Sequence, residues 1–181
     1  MNSVAPRLVF DTNSLWNFAV VERLDILGVR YGTRACWTDT VFDEVRVSEA
    51  WEPRLAQLHA CTWLGNPLEL SRAACLTDVA GIQRILAAPG DPPSKNLGES
   101  ECIHIIEHEL SRDAWFVTDD AAAADLARKR GIRVLGTTDV LVECHYLGEL
   151  PCPDPFDLLV QMSAEGRANI KVPNSHKEVC P

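Results

Sequence analysis

The 181-residue chain reads as an α/β protein. Short apolar stretches rich in valine, phenylalanine and tryptophan alternate with longer segments of helical spacing, and glycine or proline stands at many of the junctions. Such alternation builds a parallel sheet covered by helices on both faces. A further observation locates the ligand-binding end of that sheet. Leu8-Val9-Phe10 runs straight into Asp11 and the small polar residues Thr12, Asn13 and Ser14. A buried strand there hands one carboxylate to the carboxyl end of the sheet, where open α/β sheets bind ligands.

Taken in order, residues 7–10 form the first strand. Leu15, Phe18, Ala19, Ile26 and Leu27 then give one helix, which Gly28 to Gly32 should end. Residues 35–38 are the second strand. Asp39 or Thr40 caps the next helix, which carries Val41, Phe42, Val45 and Val47, with Glu44 among them. Leu55 and Leu58 suggest a helix over 51–61, and residues 62–64 are weakly strand-like. A long helix follows over 70–87, with Ser71 as a candidate cap. Residues 89–98, with three prolines and two glycines, make the clearest loop and border the ligand end. A helix over 99–110, a strand over 115–118 and an alanine-rich helix over 121–130 come next. That last helix is basic at its carboxyl end, which suits the helix dipole. The alternation closes with a strand over 132–135 and a helix over 139–146. Residues 1–148 are therefore read as one domain. Residues 149–181 form a proline-bounded short helix (156–164) and a polar tail, either loosely attached or docked back on the domain.

Composition narrows the class. With 46% hydrophobic residues the chain can bury a real core. No apolar run approaches the roughly 20 residues a membrane helix needs, and nothing near Met1 has the form of a signal peptide, so a soluble, cytoplasmic protein is expected. The cysteines are seven, an odd number, and none are spaced as CxxC, which argues against a disulfide framework or a zinc ribbon. The net charge of −9 has the wrong sign for gripping long nucleic acid, and neutralising four carboxylates brings it only to −5.

The acids themselves are placed suggestively. Asp11 ends the first strand, Glu44 lies on the helix after the second, Glu99 and Glu101 open a helix after Gly98, and Asp119 and Asp120 follow a later strand. Crowded carboxylates raise one another's pKa, and a cation relieves that repulsion. Oxygen donors with few histidines point to Mg²⁺ or Mn²⁺. Such an ion polarises a phosphodiester and activates water. Each acid also has a plainer reading. Glu99, Glu101, Asp119 and Asp120 taken singly are helix caps or first-turn acids, and Glu44 is a solvated helix residue. Asp11 is the least easily explained that way.

The segments Leu8-Val9-Phe10-Asp11-Thr12-Asn13-Ser14-Leu15, Val41-Phe42-Asp43-Glu44-Val45, Leu97-Gly98-Glu99-Ser100-Glu101-Cys102-Ile103 and Phe116-Val117-Thr118-Asp119-Asp120 stand in an order that resembles the PIN-domain nucleases. Residues 130–141 are similar to the end of the VapC-like prokaryotic branch with a GEAEA-type third motif. The resemblance spans about residues 7–148 and implies a three-layer α/β/α sandwich around a parallel sheet. It implies a Mg²⁺- or Mn²⁺-dependent ribonuclease acting on RNA, in many members a toxin with an antitoxin protein as partner, and often a homodimer. Position by position, Asp11, Glu44, Glu99 and Asp120 match the acidic quartet. Glu101 and Asp119 are alternative or additional metal ligands, and Thr12, Asn13 and Thr118 match the supporting polar residues.

Other readings compete with this one. A PIN-like module that binds nucleic acid or protein without cutting is the alternative function, although such a module has no need of the full acid set. A phosphatase using Asp11 as nucleophile would want an acid where Asn13 stands. Lys95 beside the third motif could meet a phosphate. The basic run Arg128, Lys129, Arg130 and Arg133 could steer RNA, but both are read first as solvated surface. His104 and His108 lie four apart in HIIEH, not HExxH, so they read as surface or packing residues.

Overall fold

The structure is a computed structural model that describes residues 5–70, 73–110 and 113–180. The first strand, β1 (Leu8–Phe10), has all three side chains buried. That is why Leu8-Val9-Phe10 shows no alternation: a strand covered on both faces is apolar throughout. β2 (Ala35–Cys36), β3 (Trp115–Val117) and β4 (Arg133–Leu135) join it in one parallel sheet ordered β2-β1-β3-β4. Phe10 pairs with Val117. The residues that follow them, Asp11 and Thr118, therefore emerge side by side at the carboxyl edge. Truncating Phe10 to alanine in this core should cost about 3–5 kcal/mol.

Eight α-helices flank the sheet among the described residues: α1 (Thr12–Val20), α2 (Leu24–Tyr31), α3 (Asp39–Ser48), α4 (Ala73–Leu86), α5 (Leu97–His108), α6 (Ala121–Lys129), α7 (Thr137–Tyr146) and α8 (Asp154–Ala164). The architecture is an α/β/α sandwich, as the sequence predicts. No helix among the described residues is long and apolar enough to cross a membrane.

Several elements depart from expectation. The single helix over 15–27 is two, because Glu22 takes a left-handed φ of 55° and the chain turns between α1 and α2. The turn lets Leu24 and Leu27 reach the core beside Phe18. Gly28 does not end a helix. It lies inside α2, where a Cβ would stand 2.8 Å from the Trp63 indole, so its role is close approach. Gly32, at φ 52° and the last residue of the stretch expected to end the helix, does end α2. Thr38, rather than Asp39 or Thr40, caps α3 by accepting from the Val41 amide at 3.3 Å. The helix expected over 51–61 is a 3₁₀ helix, Pro53–Ala60. Residues 62–64 form a turn, and the extra strand-like contact is an isolated parallel bridge between Thr38 and Leu68. The candidate cap Ser71 lies outside the described residues.

The tail is docked. Leu158, Leu159 and Met162 of α8 are buried in the same core as the sheet, and so are Ile170, Val179 and Cys180 beyond it. Between these anchors Arg167 reaches back to α1.

Candidate metal centre

The site is built from the carboxyl end of β1 outward. Asp11 is 1% exposed. It caps α1, taking a 2.7 Å hydrogen bond from the Ser14 amide on Oδ1. The Ser14 hydroxyl also donates to Oδ1, and Thr118 donates to Oδ2. Burial nevertheless pushes its pKa up to about 7, and the nearby Glu99 carboxylate adds to the rise, while the three hydrogen bonds work against it. The helix-cap and ligand readings of Asp11 are thus compatible. One oxygen pair serves α1 and β3, and the charge it carries is poorly compensated.

Glu44 comes from α3 and meets Thr12, whose hydroxyl donates to Oε2. Burial raises its pKa, and Glu99 and Glu101 raise it further, while bonds from Thr12 and the Gly98 amide oppose the shift. Gly98 sits in the first turn of α5 for a steric reason. A Cβ there would lie 3.0–3.2 Å from the Glu44 carboxylate. Glu99, next in the chain, is also raised by burial and then by Asp120, with Lys95 pulling the other way. Asp120 caps α6 through a 2.8 Å bond from the Ala123 amide. Glu101 is buried and accepts from the Thr40 amide at the start of α3, at 3.3 Å. Beneath them lies the Cys102 thiol, fully buried. Its pKa is driven well up by burial and by Asp11, Glu99, Glu101 and Glu44 together.

The structure therefore brings Asp11, Glu44, Glu99, Glu101 and Asp120 into one electrostatic neighbourhood. Asp119 lines the same hollow as Asp120, but its carboxylate is taken up by hydrogen bonds. Its Oδ1 accepts from the Thr137 amide at 2.9 Å, and its Oδ2 from Asn17 at 2.9 Å and from the Thr137 hydroxyl. Burial raises its pKa against these bonds. A Cβ on Gly136 would stand 2.9 Å from Asp119 Oδ1, so glycine is required for the clamp. In this arrangement Asp119 ties β3 to α1 and α7.

The donors at the sheet end are all hard oxygens, a set that fits Mg²⁺ or Mn²⁺, and the raised pKa values of Asp11, Glu44 and Glu99 are of the kind a bound cation would relieve. Their oxygens are spread out: among the described residues, the sets of three ligand-type side chains with donor atoms within 4.8 Å of one another lie instead between α4 and α5 and just past α5.

A protein-family model described as a PIN domain matches residues 7–170. The chain belongs to the PIN-domain family. The match runs through α8 and the docked tail as far as Ile170. No curated protein and no solved structure matches the chain.

Sequence reasoning passed over several residues that shape this PIN centre. Ser14 and Asn17 were visible as polar residues on an apolar helix, at positions that prove fully buried. Arg167 left no signal. It donates to Asn13 at 2.9 Å and Asn17 at 2.8 Å and lies 4.6 Å over the Trp16 ring. Together with Lys171 it lines the hollow that also holds Asn13, Asp119 and Asp120. Arg130 and Lys129 of the basic run are taken up by Glu107 and Asp125, whereas Arg128 lines a neighbouring hollow that shares Asp119, Asp120 and Lys171 with this one.

Proposed function

We propose that this PIN-domain protein is a Mg²⁺- or Mn²⁺-dependent endoribonuclease in which Asp11, Glu44, Glu99 and Asp120 hold the metal. Glu101 supports the same rim and Asp119 organises it. The observation that carries the reading is the joint elevation of Asp11, Glu44 and Glu99 near the carboxyl end of the central strands, each raised by burial first and then by a neighbouring carboxylate. The bound ion would supply charge for the scissile phosphate and activate water.

The chain's own residues do the positioning. Thr12 and Thr118 hold Glu44 and Asp11 by their hydroxyls. Asn13, anchored by Arg167, stands at the mouth. Lys95, Arg128, Arg167 and Lys171 give an acidic chain a local set of cations for RNA phosphates. Within this reading the chain is the toxin of a type II pair, held by an antitoxin protein. Trp51, Leu76 and Ile85, exposed by 84%, 60% and 62%, offer apolar surface for a homodimer.

The test is Mn²⁺-stimulated cleavage of single-stranded RNA by wild type and Asp11→Asn. Wild-type cleavage by the variant would sink the proposal. Melting followed against Mn²⁺ separates the alternative, a PIN-like module that binds nucleic acid or protein without cutting. A nuclease of this kind melts higher with Mn²⁺, and a module without a metal site does not.

A further inference from the structure

A second group of donors lies away from the acidic rim, where α4 packs on α5. Cys75 and Asp78 stand three apart on α4. His104 and His108 stand four apart on α5, and Glu109 follows it. His104 is the centre of the group and is 4% exposed. Its Nδ1 lies 2.6 Å from Asp78 Oδ2. Its Nε2 is buried and has no hydrogen-bond partner among the described residues. Buried polar atoms are normally satisfied, so an orphaned imidazole nitrogen calls for an explanation. Cys75 Sγ and a Glu109 oxygen lie within 4.8 Å of each other and of a His104 ring nitrogen, and the Cys75–Glu109 separation itself is 3.8 Å.

We propose that Cys75, His104 and Glu109 form a zinc site, with Asp78 as the carboxylate that orients the His104 ring. The chemistry supports that ion over the one proposed for the acidic rim. Thiolate and imidazole are donors for Zn²⁺, while Mg²⁺ takes oxygen. A carboxylate on Nδ1 fixes the tautomer and leaves Nε2 to the metal, which is the usual arrangement around ligating histidines. Zinc binding would release the Cys75 proton to solvent and leave a thiolate on the ion. Because the three ligands come from α4 and from α5 and its end, the ion would pin one helix to the other. The HIIEH spacing contributes one ligand only. His108 is more than half exposed, with Nε2 3.6 Å from Asp78 Oδ2, and stands outside the set.

The experiment uses the full chain, reduced and metal-free, titrated with Zn²⁺ against a chromophoric chelator. In parallel, Co²⁺ is added and the near-ultraviolet thiolate-to-cobalt band is followed. A single saturable site is expected in wild type and equally in Asp11→Asn, with the cobalt band present in both. Cys75→Ser should abolish the band and weaken Zn²⁺ by more than the about 10–100-fold expected of Asp78→Asn, which removes an orienting partner. His108→Ala and Cys180→Ser should leave both readouts unchanged. Undiminished Zn²⁺ affinity in Cys75→Ser overturns the proposal. So does the absence of any saturable site, loss in Asp11→Asn (placing the ion on the acidic rim), loss in Cys180→Ser, or loss in His108→Ala (placing it among Asp78, His104 and His108). Asp78→Asn retains every donor and gives a second reading should Cys75→Ser fold poorly.

Discussion

Asp11 and Glu143 are both carboxylates drawn partly or wholly out of water, and they are held in opposite ways. Burial raises Glu143, but hydrogen bonds from Arg30 at 2.6 Å and Tyr31 at 2.8 Å outweigh it, and the net shift is downward. Asp11 has only neutral donors, with an acid next to it, and its net shift is upward. The α2–α7 pair is a charge-paired structural contact. At the sheet edge Asp11 and Glu44 take their hydrogen bonds from hydroxyls and amides, and Lys95 and Arg167 act on the acids only at longer range. Glu143 is held by an ionised donor, whereas Asp11 accepts from neutral hydroxyls and an amide, and the sign of each shift follows from that difference.

The contrast breaks most sharply at Asp11. Asp11→Asn should lower Mn²⁺-stimulated RNA cleavage by more than about 100-fold, beyond the loss of a merely orienting group. It should also remove a pH slope in metal-free stability. Below pH about 4, Asp11 is neutral in both folded and unfolded chains. Between there and pH about 7 the unfolded chain has lost the proton that the folded chain keeps, so stability falls as pH rises, by on the order of a few kcal/mol. Above pH about 7 the penalty is constant. Denaturant melts of wild type and Asp11→Asn across this range, without metal, measure the difference. An equally steep slope in the variant would assign it to other groups.

Gly98→Ala tests whether the rim depends on close approach. Alanine inside a helix should gain about 0.5–1 kcal/mol over glycine. Here its Cβ would press on the Glu44 carboxylate and displace it. A misplacement near 1 Å at a reacting site lowers rate by about 100-fold, so cleavage should fall by about 10- to 100-fold while circular dichroism is unchanged. Full activity in Gly98→Ala would remove Glu44 from the site.

Glu143→Gln probes the other side of the comparison. It should lose about 1–3 kcal/mol of stability, because Arg30 and Tyr31 keep a weaker partner, with cleavage unaltered. The sign with pH is opposite to that at Asp11. The Glu143 contribution is present above its unfolded pKa and is lost as pH falls through its lowered folded value. Chemical melts at neutral and acidic pH should therefore converge for wild type and variant at the acidic end. The smallest effect is expected at the exposed Lys129–Asp125 pair on α6. Lys129→Ala should cost about 0.3–0.5 kcal/mol and vanish in high salt.

Much of the fold was legible because its signals are local. The apolar run before Asp11, the run from Trp115 to Val117 and the alanine-rich α6 each declare a strand or helix within a few residues. The break at Glu22 was not legible, since a left-handed glutamate carries no composition signal. Gly28 was misread because glycine marks both turns and close contacts, and Trp63, which decides between them, is 35 residues away in the chain. The centre divides similarly. The acids were visible one by one; Asp120 caps a helix, as its plainer reading has it, and so does Asp11, to which that reading was least suited. What separates Asp119 from its neighbour is a set of long-range bonds to Asn17 and Thr137, and no local pattern encodes them.

By itself, then, the sequence determined the α/β class, the strand that presents Asp11, and the order of acidic segments that resembles the PIN domains. The tertiary structure alone decided that Asp119 turns to α1 and α7 and that Arg167 returns from the tail to Asn13. It alone decided that His104 is buried with one nitrogen answered and the other without a hydrogen-bond partner among the described residues. The reason is physical. Periodicity and caps act within a turn or two of chain, whereas the partners of a buried polar atom are set by which distant segments the core draws together.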